Sequence, residues 1–110
     1  MNLTIDQNTT QSTHLVRLTG EVDAFTAPKL REALLPLTEQ EGAEVIVDLT
    51  DVSYMDSTGL GVFIGALKSA KKNNGNIKLT GMNKRVERLF TITGLTEVLE
   101  IDNSMRGELQ

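Results

Sequence analysis

The chain has no cysteine, so it can form neither a disulfide nor a thiolate zinc site. Its one histidine, His14, cannot build a histidine-rich metal centre. Basic charge is also scarce. Against 15 Asp and Glu there are 11 Lys and Arg, a formal net charge of −4. A general nucleic-acid binder needs a basic face, so direct nucleic-acid binding is not expected, although a protein partner with a basic surface is compatible. No apolar run approaches membrane-spanning length. Met1-Asn2-Leu3-Thr4-Ile5 lacks a basic region followed by a long apolar stretch, so no signal peptide is expected. These absences predict a cytoplasmic domain that needs no metal, cofactor or membrane.

What is present suits one modest core. The 110 residues fit a single domain spanning 1–110, and 39% hydrophobic with 24% charged residues argues against disorder. Leu3 and Ile5 alternate with polar neighbours, the period of a half-buried strand. Residues 8–13 are polar and turn-like, and His14 to Thr19 reads as a second strand stopped by Gly20. A hairpin is the simplest outcome. His14 shares a face with Val16 and Leu18 and reads as a packing or edge histidine without chemistry.

Gly20 to Pro28 reads as a loop entering a helix, with Thr26 able to cap and Pro28 in the first turn. Leu30, Ala33, Leu34 and Leu37 form its buried stripe, and Pro36 is expected to kink or loosen its end. Ala43 to Leu49 is apolar on both faces apart from Asp48, as a central strand would be. Asp51 to Asp56 then bridges to a helix from Leu60 to Ala70. A turn at 73–76 leads to a strand at Ile77 to Thr80. Asn83 caps a helix carrying Val86, Leu89 and Phe90, with Gly94 as its stop. Val98 to Ile101 is a last short strand, and 102–110 a polar tail or weak terminal helix. The alternation predicts an α/β fold: a mixed, mostly parallel sheet with one antiparallel edge strand and helices mainly on one face.

The chemistry concentrates in Met55-Asp56-Ser57-Thr58-Gly59-Leu60-Gly61, between a strand and a helix. Ser57 stands where a helix N-cap belongs. A helix N-terminus carries partial positive charge and unpaired donors, so it can hold a phosphate. Ser57 is therefore read as a phosphorylation site, with plain capping as the structural alternative and Thr58 as the neighbouring hydroxyl. Leu60, Ile64 and Leu67 line one face of the helix, while Val62, Phe63 and Ala66 extend its apolar character. That surplus is either a contact site or a surface covered by a neighbouring helix.

Two enzymatic or ligand-binding readings fit poorly. A nucleophile elbow wants glycines two residues either side of the serine, and Met55 occupies one of those places. The P-loop's Lys-Ser/Thr ending and glycine spacing are absent.

The segment Asp51-Val52-Ser53-Tyr54-Met55-Asp56-Ser57-Thr58-Gly59-Leu60-Gly61-Val62-Phe63 closely resembles the phosphorylation segment of bacterial anti-sigma factor antagonists of the STAS domain family. Glu21-Val22-Asp23 with Ala27-Pro28 resembles the family's loop before its first helix, and Arg88-Leu89-Phe90 with Ile92 to Leu95 its late helix and turn. The resemblance covers almost the whole chain and is closest to the general-stress branch. It implies a switch protein rather than an enzyme, and a monomer is the simplest expectation for the chain. The unphosphorylated form would bind an anti-sigma factor that is also an ATP-dependent serine kinase, so that the sigma factor is released. Phosphorylation at Ser57 would end binding, and a serine phosphatase would restore it. The expected partner-binding residues are Asp23, Asp56, Thr58, Gly59, Leu60, Gly61 and Phe63. Asp23 and Asp56 have loop-capping roles as alternatives, and the glycines a packing role. Because some STAS domains are sensory or attached to transporters, a sensory or nucleotide-binding module is the second reading.

Overall fold

The computed structural model describes residues 2–95 and 99–102. Its elements are β1 (Leu3–Thr10), β2 (Thr13–Val22), α1 (Ala27–Thr38), β3 (Glu44–Met55), α2 (Ser57–Lys72), β4 (Asn76–Thr80), α3 (Lys84–Ile92) and β5 (Glu100–Asp102). The strands form one sheet in the order β1-β2-β3-β4-β5. β1 pairs antiparallel to β2, and the other three pairings are parallel. The mixed sheet with an antiparallel edge strand is the one expected from the alternation of elements.

Burial separates the two faces of the sheet. His14, Val16 and Leu18 on β2 are buried, as are Val45, Val47 and Leu49 on β3 and Ile77 and Leu79 on β4. Their alternating neighbours Leu15 and Arg17 are exposed, while Ile46, Asp48 and Lys78 are only half-covered. The buried side chains join those of α1, α2 and α3 in one core, so the helices pack on that face. The opposite face is open and, among the described residues, carries the ion pairs Arg17 Nε to Asp48 Oδ2 at 3.5 Å and Lys78 Nζ to Glu100 Oε2 at 3.9 Å. A depression of about 360 Å³ lined by Asp6, Gln7, Asn8, Leu15 and Arg17 lies at its β1–β2 side.

The strands are longer than the sequence pattern suggests. β1 runs on to Thr10, and the hairpin turns at Gln11, whose φ is 55°. β2 does not stop at Gly20, nor does β3 stop at Leu49. The two continue together through Thr19↔Asp51, Gly20↔Val52, Glu21↔Tyr54 and Val22↔Met55, with register shifts between Arg17 and Thr19 and between Gly20 and Glu21. These irregularities break the two-residue period, which is why residues 51–55 read as a bridge. Gly20 is required at its place: its φ is +118°, and a Cβ would collide with the Asn2 carbonyl oxygen, which accepts from the Glu21 N–H. The expected last strand is represented by β5, while Val98 and the tail from 103 lie outside the described residues.

α1 starts with Pro in its first turn and continues through Pro36 to Thr38, with Leu30, Leu34 and Leu37 buried and Ala33 half-buried. In α3, Asn83 Oδ1 accepts from the Val86 N–H at 2.8 Å, and Gly94 follows with a φ of +78°. His14 is buried. Its Nδ1 lies 2.8 Å from Thr9 Oγ1 and its Nε2 2.9 Å from Gln40 Oε1, so it ties β1 and the end of α1 to β2.

Candidate functional site

Parallel pairing brings the ends of β2 and β3 together, and the Asp56 N–H donates to the Val22 carbonyl oxygen at 3.1 Å. Two loops therefore leave the sheet side by side, at the ordinary strand spacing of about 5 Å. One holds Asp23 to Thr26, the other Asp56 and the start of α2.

Asp56, rather than Ser57, is the N-cap of α2. Its φ and ψ of −111° and −173° are extended, and its Oδ1 accepts from the Thr58 N–H at 2.9 Å. Asp is as good a cap as Ser, and the cap must be the last extended residue before the helix. Ser57 is the first helical residue and is exposed. Among the described residues its hydroxyl has no hydrogen-bond partner, as an acceptor of modification should not. The expected anion cradle is correspondingly smaller. Asp56 already occupies the Thr58 N–H with its carboxylate and the Gly59 N–H with its carbonyl, the latter at 3.1 Å. A phosphate on Ser57 would meet a carboxylate beside few free donors.

Asp23 is 6% exposed. Its Oδ1 accepts from the Phe25 N–H at 2.9 Å and the Thr26 N–H at 3.0 Å. Thr26 does not cap α1 with its side chain; its Oγ1 donates to the Glu21 carbonyl at 2.9 Å and accepts from the Asp23 N–H at 2.9 Å. The loop-capping role of Asp23 is thus real. Its Oδ2, however, is buried without a hydrogen-bond partner.

The remaining expected contact residues divide. Thr58 and Gly61 are exposed on α2. Phe63 is fully buried, its ring 6.1 Å from that of Phe90, and Leu60 is 4% exposed. Val62 and Ala66 are buried as well. The surplus apolar surface of α2 is therefore core, because the helix packs against α1, β3 and β4 and reaches Phe90 of α3. Phe63 and Leu60 support the site from beneath and present no docking surface, which corrects their expected role. Gly59 is buried too: a Cβ there would stand 2.7 Å from Val22 Cγ1 and 2.8 Å from Met55 Cγ. Its glycine lets the first turn of α2 seat against both strand ends.

Two features of the site lie beyond the sequence reading. Gly65 joins the expected Gly61 in continuing the exposed line of Ser57 at helical spacing, and a Cβ on either would meet nothing within 4 Å. The i, i+4, i+8 spacing of Ser57, Gly61 and Gly65 was the available signal. The other is Phe25, 86% exposed on the Asp23 loop; its loop position alone carried no signal.

The STAS domain signature matches residues 4–107, and the chain belongs to that family. It is 46% identical over 110 residues, the full length of both proteins, to the anti-sigma-B factor antagonist of Bacillus subtilis. An anti-sigma factor antagonist from Mycobacterium paratuberculosis has the same fold, with a TM-score of 0.82 at 22% identity over 92% of this chain and 86% of that one. The phosphorylated Bacillus cell-fate determinant SpoIIAA superposes with a TM-score of 0.72 at 21% identity, over 94% of this chain and 96% of its own. Among the described residues, no helix is long and apolar enough to cross a membrane.

Proposed function

We propose that this protein is a cytoplasmic anti-sigma factor antagonist switched by phosphorylation of Ser57. Unphosphorylated, it binds an anti-sigma factor and so frees a sigma factor. The anti-sigma factor, acting as a serine kinase, phosphorylates Ser57 and the complex dissociates; a serine phosphatase resets the cycle. The observation that carries this reading is the free, exposed Ser57 hydroxyl at the first position of α2, in a chain 46% identical from end to end to an anti-sigma-B factor antagonist.

The docking surface is the exposed line of α2 from Ser57 through Gly61 to Gly65, together with the Asp23 loop. Phosphorylation adds about −1.5 to −2 charges at neutral pH. Asp56 stands next in the chain, with its carboxylate already turned toward the first turn of α2. The new charge would therefore have little local compensation, and a docked partner would have to desolvate it. A tenfold affinity loss needs only about 1.4 kcal/mol, well within the effect of one unpaired interfacial charge. Catalysis by this chain is not part of the proposal: Ser57 is the group modified, and the kinase supplies the chemistry.

The test is incubation with the anti-sigma factor of the same organism and ATP, followed by mass-spectrometric localisation of the phosphate. Ser57 is the expected position, with Ser57→Ala unmodified and still bound. Modification elsewhere, or equal binding by the phosphorylated and unmodified forms, would overturn the reading.

A further inference from the structure

We infer that Phe25 is the aromatic anchor by which this protein docks its anti-sigma factor, entering an apolar pocket whose rim is cationic. The inference rests on the function proposed above and adds the residue that supplies most of the docking grip.

Phe25 is more exposed than any other large hydrophobic residue among the described residues, at 86%. Isolated exposed hydrophobics are ordinary, so exposure alone says little. Its setting says more. The backbone beneath it is fixed from both sides: Asp23 Oδ1 accepts the N–H groups of Phe25 and Thr26, while Thr26 Oγ1 bonds the Glu21 carbonyl. An aromatic side chain on such a rigid turn has only two torsions to lose on binding, so it docks at low entropic cost. Aromatic residues of this kind dominate interface energetics when a partner pocket surrounds them.

Position ties the ring to the switch. Phe25 lies three residues beyond Val22, and the Val22 carbonyl holds the Asp56 N–H immediately before Ser57. The anchor and the hydroxyl thus stand on neighbouring loops at the same end of the sheet. The other strongly exposed apolar residue among the described ones, Ile92, ends α3, at the opposite end of that helix from Asn83, the N-cap that bonds the Val52 carbonyl on β3.

Charge identifies the pocket's rim. Three acidic residues stand on or beside these loops, Glu21 and Asp56 half-buried and Asp23 6% exposed with its Oδ2 shut off from solvent, so they border the ring as negative charge and not as contact atoms. A Lys or Arg on the partner would complement this acidic border, and a carboxylate there would be repelled. The same border explains why the ring and the phosphate act together: phosphoserine would tip an already acidic surface further, against the partner that the ring holds.

The experiment titrates the anti-sigma factor of the same organism with wild type, Phe25→Ala, Phe25→Tyr, Ile92→Ala and Ser57→Asp. Phe25→Ala is expected to bind at least about tenfold more weakly, with Phe25→Tyr restoring most of the loss and Ile92→Ala unchanged. Melting temperatures of all the Phe25 variants should match wild type, since the ring touches no core. The chain contains no tryptophan, so Phe25→Trp provides a single reporter. Its emission should shift to the blue on complex formation and stay unshifted when Ser57→Asp is added. Full affinity of Phe25→Ala alongside weakened Ser57→Asp would overturn the anchor while leaving the switch intact. Failure of wild type to bind would overturn both. Wild-type dimers that Phe25→Ala dissolves would assign the ring to a second copy of this chain and overturn the anchor as stated.

Discussion

Asp56 Oδ1 accepts the Thr58 N–H at 2.9 Å, so the cap of α2 and the hydroxyl proposed for modification belong to different residues. Capping and switching are thereby separable. Asp56→Ala removes the cap without touching the Ser57 hydroxyl, and loss of such a cap costs about 1 kcal/mol. Urea unfolding should register that loss, and Asp56→Asn, a comparable cap, should recover most of it. The charge has a separate consequence. If Asp56 opposes the negative charge at position 57, Ser57→Asp should weaken partner binding less in the Asp56→Asn background than in wild type. Additive effects would show that the two carboxylates do not interact.

The three glycines at the start of α2 should respond in opposite directions. Alanine at Gly59 would press its methyl against Val22 and Met55, so Gly59→Ala should destabilise the fold by about 1–3 kcal/mol despite better helix propensity. Gly61 and Gly65 face open space, and their replacement by alanine should raise stability by up to about 1 kcal/mol each. A helix that keeps two such glycines on its exposed side gains nothing from them internally. The expected return is close approach of the partner, so the same two substitutions should weaken binding as they raise the melting temperature. Unchanged binding would remove this line of α2 from the docking surface.

The contrast between Phe63 and Ser57 shows what the sequence could reveal. The order of strands and helices, the hairpin, the Asn83 cap and the Gly94 stop all follow from local chemistry, and all are present. The location of Ser57 followed from the strand-to-helix junction. Whether an apolar side chain on α2 faces a partner or a neighbouring helix depends on packing between elements far apart in sequence. Phe63 meets Phe90, 27 positions away, and no local periodicity contains that contact. The cap falls one residue earlier than the expected Ser57 because Asp and Ser cap equally well, and the extended backbone of Asp56 decides between them. The extension of β3 to Met55 was hidden by the register shifts, which place Val52 and Met55 three apart on the buried side.

Asp23 holds its loop with one carboxylate oxygen and leaves the other unpartnered. The two oxygens make separate predictions. Asp23→Ala deletes both hydrogen bonds to the backbone of Phe25 and Thr26 and should destabilise the domain by about 1–3 kcal/mol. Asp23→Asn keeps one acceptor for those N–H groups and removes the charge. It should melt close to wild type yet bind a cationic partner surface several-fold more weakly, by about 0.5–1 kcal/mol or more. Equal binding by Asp23→Asn and wild type would confine Asp23 to holding the loop.

On the open sheet face, Asp48 provides a test by pH. Partial burial pushes its carboxyl upward, but hydrogen bonds from the Thr50 side chain and backbone, together with the Arg17 guanidinium, outweigh burial and hold it below its ordinary value of 3.8. A carboxylate whose folded value is depressed stabilises the fold fully above its unfolded value and loses that contribution as pH falls through the folded one. Asp48→Asn should therefore be less stable than wild type near about pH 7, and the gap should close as the pH drops below 3.8. Urea midpoints of both proteins measured across this range isolate the group, since every other carboxylate is common to the two. A gap that widens on acidification would mean that burial prevails over Thr50 and Arg17. Because the open face lies opposite the helices, partner binding at neutral pH should be the same for both proteins.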